Sequence, residues 1–316
     1  MKNSFTLKSN KSKSLKGILS VPGDKSISIR SLLISSICFG NSKIFNILKS
    51  DDIFSTLKSL KQLGIKILEE KKYIEVFGQG GLFKNPKKEI NLGNSGTGIR
   101  LLSGLISSRQ ITASLIGDDS LSKRPMMRII EPLLLMNSKI EHNNGKLPLK
   151  IKNNNGRSIP IKYILKIGSA QVKSAILLAS LNIKGQTKII EKNPSRNHTE
   201  IMLKYFGAQI KIKKNEIILN SPNFLKPKDI YVPGDFSSAA FLIVAVLITK
   251  NSRITINNVG LNFYRTGLLD VLIKMGAKIK IINKKNINGE IVGDIFVESS
   301  TLKSIKLSEE IAPRLI

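Results

Sequence analysis

Val21-Pro-Gly-Asp-Lys-Ser26 recurs late in the chain as Val232-Pro-Gly-Asp-Phe-Ser237, and each copy leads into an apolar stretch of helix length. Two other short polar loops precede apolar stretches in the same way, Gly93-Asn-Ser-Gly-Thr-Gly98 and Gly168-Ser-Ala-Gln-Val-Lys173. Loops that recur in register are the signature of a repeated structural unit. The sequence therefore predicts an internally duplicated α/β architecture.

The ends of the units repeat as well. A glycine or asparagine follows an apolar helical pattern at intervals of roughly 70 residues, at Gly64, Asn137, Gly207 and Gly276. These residue types tolerate the left-handed backbone that ends many helices. In the first unit, the pattern predicts a helix over 26–39 that Gly40 ends, a helix from Asp51, and a hairpin of 65–68 with 73–76.

A Pro- and Lys-rich stretch, Asn220-Ser-Pro-Asn-Phe-Leu-Lys-Pro-Lys228, separates the third unit from the fourth. Three units, a boundary and one more unit predict a complete three-unit domain over 21–228 and the start of another. A second domain of the same size needs two more units, roughly another 100 residues, to cover its sheets. Four of an expected six units are thus present, and we expect the chain to be truncated at its C-terminus.

The formal net charge of +29 is large enough to attract any polyanion. Most of the positive charge comes from lysines spread over the whole chain. Aromatic residues make up 5% of the chain and include no Trp, which leaves few side chains for stacking on bases. We therefore expect a solvated basic surface and no nucleic-acid partner, with a basic RNA-associated protein as the alternative from a different class.

Composition also bears on metal, redox and membrane functions. The single cysteine, Cys38, lies in an apolar stretch, which indicates a buried structural thiol. Two histidines, His142 and His198, are too few and too scattered for a metal site. No apolar run reaches the roughly 18 residues of a membrane span, and no apolar signal region follows the N-terminus. These features favour a cytoplasmic protein without a bound metal or a membrane partner.

The arginines are informative because they are scarce. Arg30, Arg100, Arg124 and Arg196 lie within or beside the loop motifs. A guanidinium group binds carboxylate or phosphate through two parallel hydrogen bonds, and backbone N–H groups at a helix N-terminus bind the same anions. The loops lack the Walker and dinucleotide-binding patterns. Together the loops predict an anion site, although for any one loop alone a tight helix entry that needs small residues is the favoured explanation.

Five motifs together resemble the 5-enolpyruvylshikimate-3-phosphate synthase family, the 3-phosphoshikimate 1-carboxyvinyltransferases. They are Pro22-Gly-Asp-Lys-Ser-Ile-Ser-Ile-Arg30, Leu92-Gly-Asn-Ser-Gly-Thr-Gly-Ile-Arg100, Gly117-Asp-Asp-Ser-Leu-Ser-Lys-Arg-Pro125, Ser169-Ala-Gln-Val-Lys-Ser174 and Ser195-Arg-Asn-His-Thr-Glu200. The resemblance implies an inside-out α/β fold of two domains, each with three repeated helix-strand units. It also implies that residues 1–20 join residues 229–316 in the incomplete second domain.

The family resemblance implies the reaction too. The enolpyruvyl group of phosphoenolpyruvate passes to the 5-hydroxyl of shikimate 3-phosphate, and phosphate leaves through a tetrahedral intermediate. This is a step of the shikimate pathway to aromatic amino acids, and the resemblance implies no metal or organic cofactor. We expect a monomer with these two metabolites as its partners.

On the phosphoenolpyruvate side, the resemblance assigns four residues. Lys25 contacts both substrates and is the candidate for proton transfer. Asn94 and Gly96 border the phosphoenolpyruvate pocket, and Arg124 clamps its charged groups. Gly96 is the small residue where glyphosate-tolerant members carry a methyl group, so the resemblance implies inhibition by glyphosate in a complete version of the protein.

On the shikimate 3-phosphate side, the resemblance assigns different groups to the carboxylate and to the phosphate. The carboxylate side is held by Ser26 and Arg30. The phosphate is bound by Ser169, Arg196 and the backbone at Ala170, and Gln171 lies between the two ligands. Without the resemblance, these serines are equally well explained as helix caps, and Lys25 and Arg124 as surface charges.

The resemblance ends before the family's remaining catalytic groups, which are an Asp-bearing helix, a Lys-Glu-x-x-Arg segment and two later basic residues. We therefore expect the chain to lack part of the active site, and a non-catalytic substrate-binding fragment is an alternative. A related enolpyruvyl transferase acts on UDP-N-acetylglucosamine. That enzyme characteristically uses a loop cysteine, whereas Cys38 lies in an apolar helical pattern.

Overall fold

The computed structural model describes Thr6, Lys8, residues 10–222 and residues 224–315. After strand β1 (Lys16–Ser20), the first unit consists of α1 (Lys25–Ser36), β2 (Phe39–Phe45), α2 (Asp51–Gln62), β3 (Lys66–Glu69) and β4 (Tyr73–Gln79). The second consists of β5 (Ile90–Asn91), α3 (Gly96–Ser107), β6 (Ala113–Ile116), α4 (Asp119–Ser122), α5 (Met127–Leu135), β7 (Lys139–Asn143) and β8 (Lys146–Lys152).

The third unit contains β9 (Lys162–Leu165), α6 (Ala170–Ser180), β10 (Gly185–Glu191), α7 (His198–Tyr205), β11 (Ile210–Lys213) and β12 (Glu216–Ser221). The fourth contains β13 (Ile230–Tyr231), α8 (Phe236–Ile248), β14 (Arg253–Gly260), α9 (Gly267–Lys274), β15 (Lys278–Ile287) and β16 (Glu290–Glu298). A 3₁₀ turn (Glu309–Ile311) and α10 (Ala312–Leu315) follow. The described residues therefore form the four predicted units of a mixed α/β fold.

Each unit contributes to its own four-stranded sheet. The strand orders are β13-β2-β4-β3, β5-β6-β8-β7, β9-β10-β12-β11 and β1-β14-β16-β15. In every sheet, the strand at one edge pairs in parallel with its neighbour, and the remaining pairs are antiparallel. The four sheets thus share one topology, as the sequence repeat requires.

Two edge strands are exchanged between units. The strand before α1, β1, lies in the sheet of the fourth unit, and the strand before α8, β13, lies in the sheet of the first unit. The two Val-Pro-Gly-Asp loops therefore cross. The backbone N–H of Asp24 donates to Pro233 O at 2.8 Å, and that of Asp235 donates to Pro22 O at 2.8 Å. This reciprocal pair joins the N-termini of α1 and α8.

The predicted left-handed residues at the ends of the second helices are confirmed. Their φ angles are positive: 90° at Gly64, 61° at Asn137, 89° at Gly207 and 94° at Gly276. A left-handed residue directly after a helix lets the chain reverse into the following strand without steric cost at glycine. Four independent repeats of the same conformation explain why the pattern was visible in the sequence.

The predicted end of the first helix was wrong. Helix α1 ends at Ser36, and Gly40 lies inside strand β2, which begins at Phe39. The N–H of Ile37 bonds to the carbonyl of Ile34 and closes the last turn. The buried apolar run continues from the helix through Cys38, so hydrophobicity alone did not mark where the helix stops.

Helices α1, α3 and α6 form the buried centre of the first three units, where α3 packs against both α1 and α6. The contact between α3 and α6 is close because Gly104 has no side chain. A Cβ atom at that position would lie 2.3 Å from the carbonyl oxygen of Ala175. Helices α3 and α6 therefore pack closely near their centres.

Helix α8 has the same place in the fourth unit but is only half covered. Phe241 and Ile248 on its outer face are 81% and 70% exposed. Among the described residues, no pair of helices encloses α8 as α1 and α6 enclose α3. None of the helices in this part of the chain combines the length and apolar character needed to cross a bilayer.

We expect Cys38 to resist N-ethylmaleimide in the native protein at about pH 8 and to react fully in denaturant. The residue is fully buried, and its thiol donates to the carbonyl oxygen of Ile34 at 3.3 Å. Burial raises the pKa of the thiol to about 12, so the reactive thiolate is almost absent. Mass spectrometry of labelled protein tests this, and rapid labelling without denaturant would contradict it.

Candidate active site

Each of the four polar loops places an N-cap side chain at the head of a buried or half-buried helix. The capping hydrogen bonds run from Ile27 N–H to Asp24 (2.8 Å), Gly98 N–H to Ser95 (3.1 Å), Val172 N–H to Ser169 (3.4 Å) and Ser237 N–H to Asp235 (2.7 Å). Other backbone N–H groups of these first turns point away from the helices. The loops therefore present partial positive charge at their helix heads.

Side-chain hydrogen bonds bring three of these helix heads, those of α1, α3 and α6, close together. Arg30 Nη2 donates to Ser174 Oγ at 3.0 Å, which links the first two turns of α1 and α6. Arg100 Nη1 donates to Gln171 Oε1 at 2.8 Å, which links α3 to the head of α6. Because all four residues lie near the starts of their helices, α1, α3 and α6 run parallel and their N-termini converge.

Two guanidinium groups border the space above Gly96. A Cβ atom on this glycine would lie 3.0 Å from Arg124 Nη1 and 3.2 Å from Arg100 Nη1. Arg124 donates to the side chain of Asn94, whose Nδ2 in turn donates to Asp118 at 2.8 Å. Three residues predicted for the phosphoenolpyruvate pocket, Asn94, Gly96 and Arg124, are thus in one contact group.

The electrostatics around this group favour an anion. Burial and, to a smaller extent, the neighbouring positive charges of Arg128 and Arg124 together lower the pKa of Arg100 to about 10. The guanidinium is surrounded by Gln171 and the carbonyl oxygens of Gly96 and Pro125, which are neutral acceptors. An anion near this cluster would offset the repulsion between the arginines.

Arg30 is buried, and protein groups bind it on three sides. Nε donates to Thr199 Oγ1 at 2.7 Å, Nη1 to the carbonyl of Ser26 at 2.9 Å, and Nη2 to Ser174 Oγ at 3.0 Å. Burial lowers its pKa to about 10, against the opposing effect of Glu200 and other acids. These contacts hold the first turn of α1 against α6 and α7. Direct contact of Ser26 and Arg30 with a substrate carboxylate stays a prediction.

Lys25 is the first residue of α1 and lies where the crossing loops meet. Its Nζ is 3.2 Å from Asp52 Oδ2 on the first turn of α2, and its side chain is 49% exposed. Its backbone N–H points to Asp235 Oδ2 at 3.4 Å. The ammonium group is therefore half exposed and is held near a carboxylate.

One cavity of about 490 Å³ is lined by the three residues predicted for the phosphate, Ser169, Ala170 and Arg196, and by Gln171. The C-terminal segment forms part of the same wall through Glu309, Ala312 and Pro313. Gln171 bridges to the other contact group, since its Nε2 donates to Thr97 at 3.1 Å and its Oε1 accepts from Arg100. Gln171 thus connects this cavity to the group of residues around Gly96.

Sequence reasoning missed a buried ionic cluster behind the Arg196 loop. Lys173 is 1% exposed, and its Nζ lies 2.9 Å from Glu191 and 2.8 Å from Glu200. The same ammonium donates to the carbonyl of Ser195 at 3.0 Å, and Glu191 accepts from the Ser195 N–H at 2.9 Å. The cluster fixes the residue directly before Arg196. A lysine in an otherwise apolar helix was the available signal.

A second missed feature joins the two crossing loops. Arg265 lies 2.9 Å from Asp24 and 2.8 Å from Asp235, and it is buried with both acids. Burial lowers the pKa of Arg196, and the nearby charge of Arg265 lowers it further. The aspartate shared by the two Val-Pro-Gly-Asp motifs was the signal. Nothing in the sequence around Arg265 marked its role.

The fold and the site define a repeated α/β protein in which helix N-termini and arginine side chains converge, an arrangement that favours small anionic ligands. Residues 9–313 match the family of EPSP synthase (3-phosphoshikimate 1-carboxyvinyltransferase). The chain belongs to this family. It is accordingly a transferase of the shikimate pathway that moves the enolpyruvyl group of phosphoenolpyruvate to the 5-hydroxyl of shikimate 3-phosphate and releases phosphate.

Individual relatives agree with this assignment. The 3-phosphoshikimate 1-carboxyvinyltransferases of Ruthia magnifica and Petrotoga mobilis are 47% and 46% identical to the chain. Each alignment covers 94% of the chain, and 68% and 70% of the respective relative. The solved structure of EPSP synthase from Acinetobacter baumannii has a TM-score of 0.88 at 39% identity. That match covers 96% of the chain and 69% of the solved structure, and it confirms the predicted inside-out α/β fold.

Proposed function

We propose that shikimate 3-phosphate binds with its phosphate in the cavity at the head of α6, between Ser169 and Arg196. Two sources of positive potential support this placement. The backbone N–H groups of Ala170 and Gln171 belong to the first turn of α6, where the helix dipole favours an anion. Arg196 also lines this cavity, and a guanidinium can bind phosphate through two parallel hydrogen bonds.

Phosphoenolpyruvate is proposed to bind beside Gly96, against Arg124. The absence of a side chain at Gly96 leaves room for the ligand next to the guanidinium group, since an added methyl would lie 3.0 Å from it. Gln171 and Arg100 connect this position to the shikimate 3-phosphate cavity. The two ligands would therefore meet at the converging heads of α3 and α6.

Lys25 is the proposed group for proton transfer. Enolpyruvyl transfer needs a proton at the vinyl methylene and removal of a proton from the hydroxyl, with fixed cations around the negative charges. The Lys25 ammonium group lies at the head of α1, and its contact with Asp52 at 3.2 Å keeps it oriented. Ser26 and Arg30 follow on the same helix and are proposed for the carboxylate side of the shikimate ring.

The proposed domain division is 21–228 for the three-unit domain and 1–20 with 229–316 for the second. Two separate hydrophobic clusters support it, one around α1, α3 and α6 and one around α8. At the crossing loops the boundary is shared, since Val21 belongs to the second cluster and Val232 to the first. A cytoplasmic location, a monomeric state and the lack of a nucleic-acid partner stay predictions.

The convergence of three helix heads, linked by Arg30 and Arg100, is the observation that carries the proposed site. We expect isothermal titration calorimetry to show saturable binding of shikimate 3-phosphate to the chain. Arg196→Ala is expected to raise the Kd by roughly 10- to 100-fold, because a charge-assisted pair with phosphate is lost. Arg253→Ala, on an exposed strand residue, is the matched control and is expected to leave the Kd unchanged.

The RNA-binding alternative predicts a different result in the same instrument. A single-stranded RNA probe would bind strongly and with a steep salt dependence at two salt concentrations, and shikimate 3-phosphate would give no saturable heat. That outcome would overturn the proposed site. Equal affinity of the wild-type protein and Arg196→Ala for shikimate 3-phosphate would show that Arg196 is not part of the phosphate-binding site.

A further inference from the structure

A buried pair of side chains connects the two hydrophobic clusters close to Arg196. His198 is the first residue of α7, in the first domain, and Glu290 is the first residue of β16, in the sheet of the fourth unit. His198 Nδ1 lies 2.6 Å from Glu290 Oε1, and the two side chains are 3% and 5% exposed. The residues are far apart in the sequence, so the contact exists only in the folded chain.

Two asparagines complete the contact. Asn262 Nδ2 donates to Glu290 Oε2 at 3.2 Å and to Asn197 Oδ1 at 2.8 Å. Both carboxylate oxygens of Glu290 therefore have a donor, one from each side of the interface. Burial raises the pKa of Glu290, but the nearby His198, its hydrogen bond and that of Asn262 together bring it below its usual value. The carboxylate is thus ionised at neutral pH, and His198 Nδ1 carries the proton that it accepts.

The turn before Glu290 also contacts strand β13, which lies in the sheet of the first unit, and helix α7. Asn288 Oδ1 accepts from the backbone N–H of Tyr231 at 2.8 Å. Gly289 has a φ of 87°, and a Cβ atom there would lie 2.8 Å from the Ile201 side chain on α7. The tip of the β15-β16 hairpin therefore packs directly against α7, next to the buried His198–Glu290 pair.

Arg196 stands between this pair and the Lys173 cluster. The residue before it, Ser195, is held by Lys173 and Glu191, and Asn197 and His198 directly after it are held by the second domain. Thr199, the next residue, accepts from Arg30 at 2.7 Å. The backbone on both sides of Arg196 is thus fixed by buried contacts from different parts of the molecule.

We propose that His198 and Glu290 are positioning residues that hold Arg196 in its phosphate-binding geometry by tying the head of α7 to the second domain. The inference rests on the proposed role of Arg196 in binding shikimate 3-phosphate. A pair with this role transmits the relative position of the two domains to the phosphate site. Its loss lowers ligand affinity in protein that is otherwise folded.

The test compares His198→Ala, His198→Asn and Glu290→Gln with the wild-type chain. Asparagine places an amide N–H near the position of Nδ1 and can donate to Glu290, so it is the conservative rescue. Glutamine keeps the size of Glu290. Its amide NH₂ group, however, would face one of the two donors that the carboxylate accepts from, His198 Nδ1 or Asn262 Nδ2. His142→Ala is the matched control, because His142 is the chain's other histidine and is exposed on β7.

Two readouts are used on each protein: the Kd for shikimate 3-phosphate by calorimetry and amide hydrogen exchange over 195–199. We expect His198→Ala and Glu290→Gln to weaken binding roughly tenfold or more and to speed exchange in this segment. His198→Asn should stay within roughly threefold of the wild-type Kd, and His142→Ala should match it. If the pair has a purely structural role, its loss will lower the Tm of the interface variants, and the Kd of the folded protein will not change.

The outcomes separate the two hypotheses. Wild-type affinity and wild-type exchange in folded His198→Ala would overturn the positioning role. If His198→Ala does not fold, Glu290→Gln and His198→Asn give the same comparison. If the wild-type chain does not bind shikimate 3-phosphate, the proposed function fails, and the exchange of 195–199 in the variants still decides whether the pair fixes this segment.

Discussion

Lys173→Met is expected to lower the free energy of unfolding by about 3 to 5 kcal/mol. The substitution removes the ammonium group from between Glu191 and Glu200, which lie 2.9 and 2.8 Å from it in the protein interior. Both carboxylates would then be buried without a counter-charge, and the carbonyl of Ser195 would lose its donor. Urea unfolding followed by circular dichroism measures the change.

The matched control is Lys188→Met. Lys188 pairs with Glu216 at 2.6 Å between neighbouring strands, but the two side chains are 30% and 35% exposed. Solvent-exposed pairs contribute only about 0 to 1 kcal/mol, so this variant should unfold close to the wild type. Equal unfolding midpoints for Lys173→Met and Lys188→Met would show that the buried cluster does not stabilise the fold.

Arg265→Met is expected to destabilise the chain by a similar amount, about 3 to 5 kcal/mol. The guanidinium contacts Asp24 and Asp235, the two N-cap residues at the crossing loops. Its loss leaves two buried carboxylates close together. These carboxylates cap the N-termini of α1 and α8. Urea unfolding reports the loss of stability, and calorimetry with shikimate 3-phosphate reports any change at the site.

Arg265→Lys is expected to recover only part of this loss, because an ammonium group lacks the planar fork that reaches two carboxylates at once. Arg253→Met serves as the control, since Arg253 is exposed and its replacement should change stability by no more than about 0.5 kcal/mol. Wild-type stability in Arg265→Met would mean that the two aspartates do not need the arginine as a counter-charge.

Much of the candidate site could be predicted because its residues lie in short local motifs. Asn94, Gly96 and Gln171 sit in loops that form helix heads, and the structure brings them into contact with the arginines of the neighbouring motifs. The residues that hold these motifs in place were not predicted. Lys173, Arg265 and Glu290 act through partners that are distant in the sequence, and no local pattern specifies such a partner.

The sequence by itself determined the four repeat units, the helix-heading loops and the left-handed residues that end the second helices. Each of these depends on the conformational preferences of a few adjacent residues. Only the tertiary structure decided that β13 enters the sheet of the first unit and that Asp24 and Asp235 share Arg265. Strand exchange and buried ion pairs are selected by the free energy of the whole packed chain, because each contact forms only when distant segments fold together.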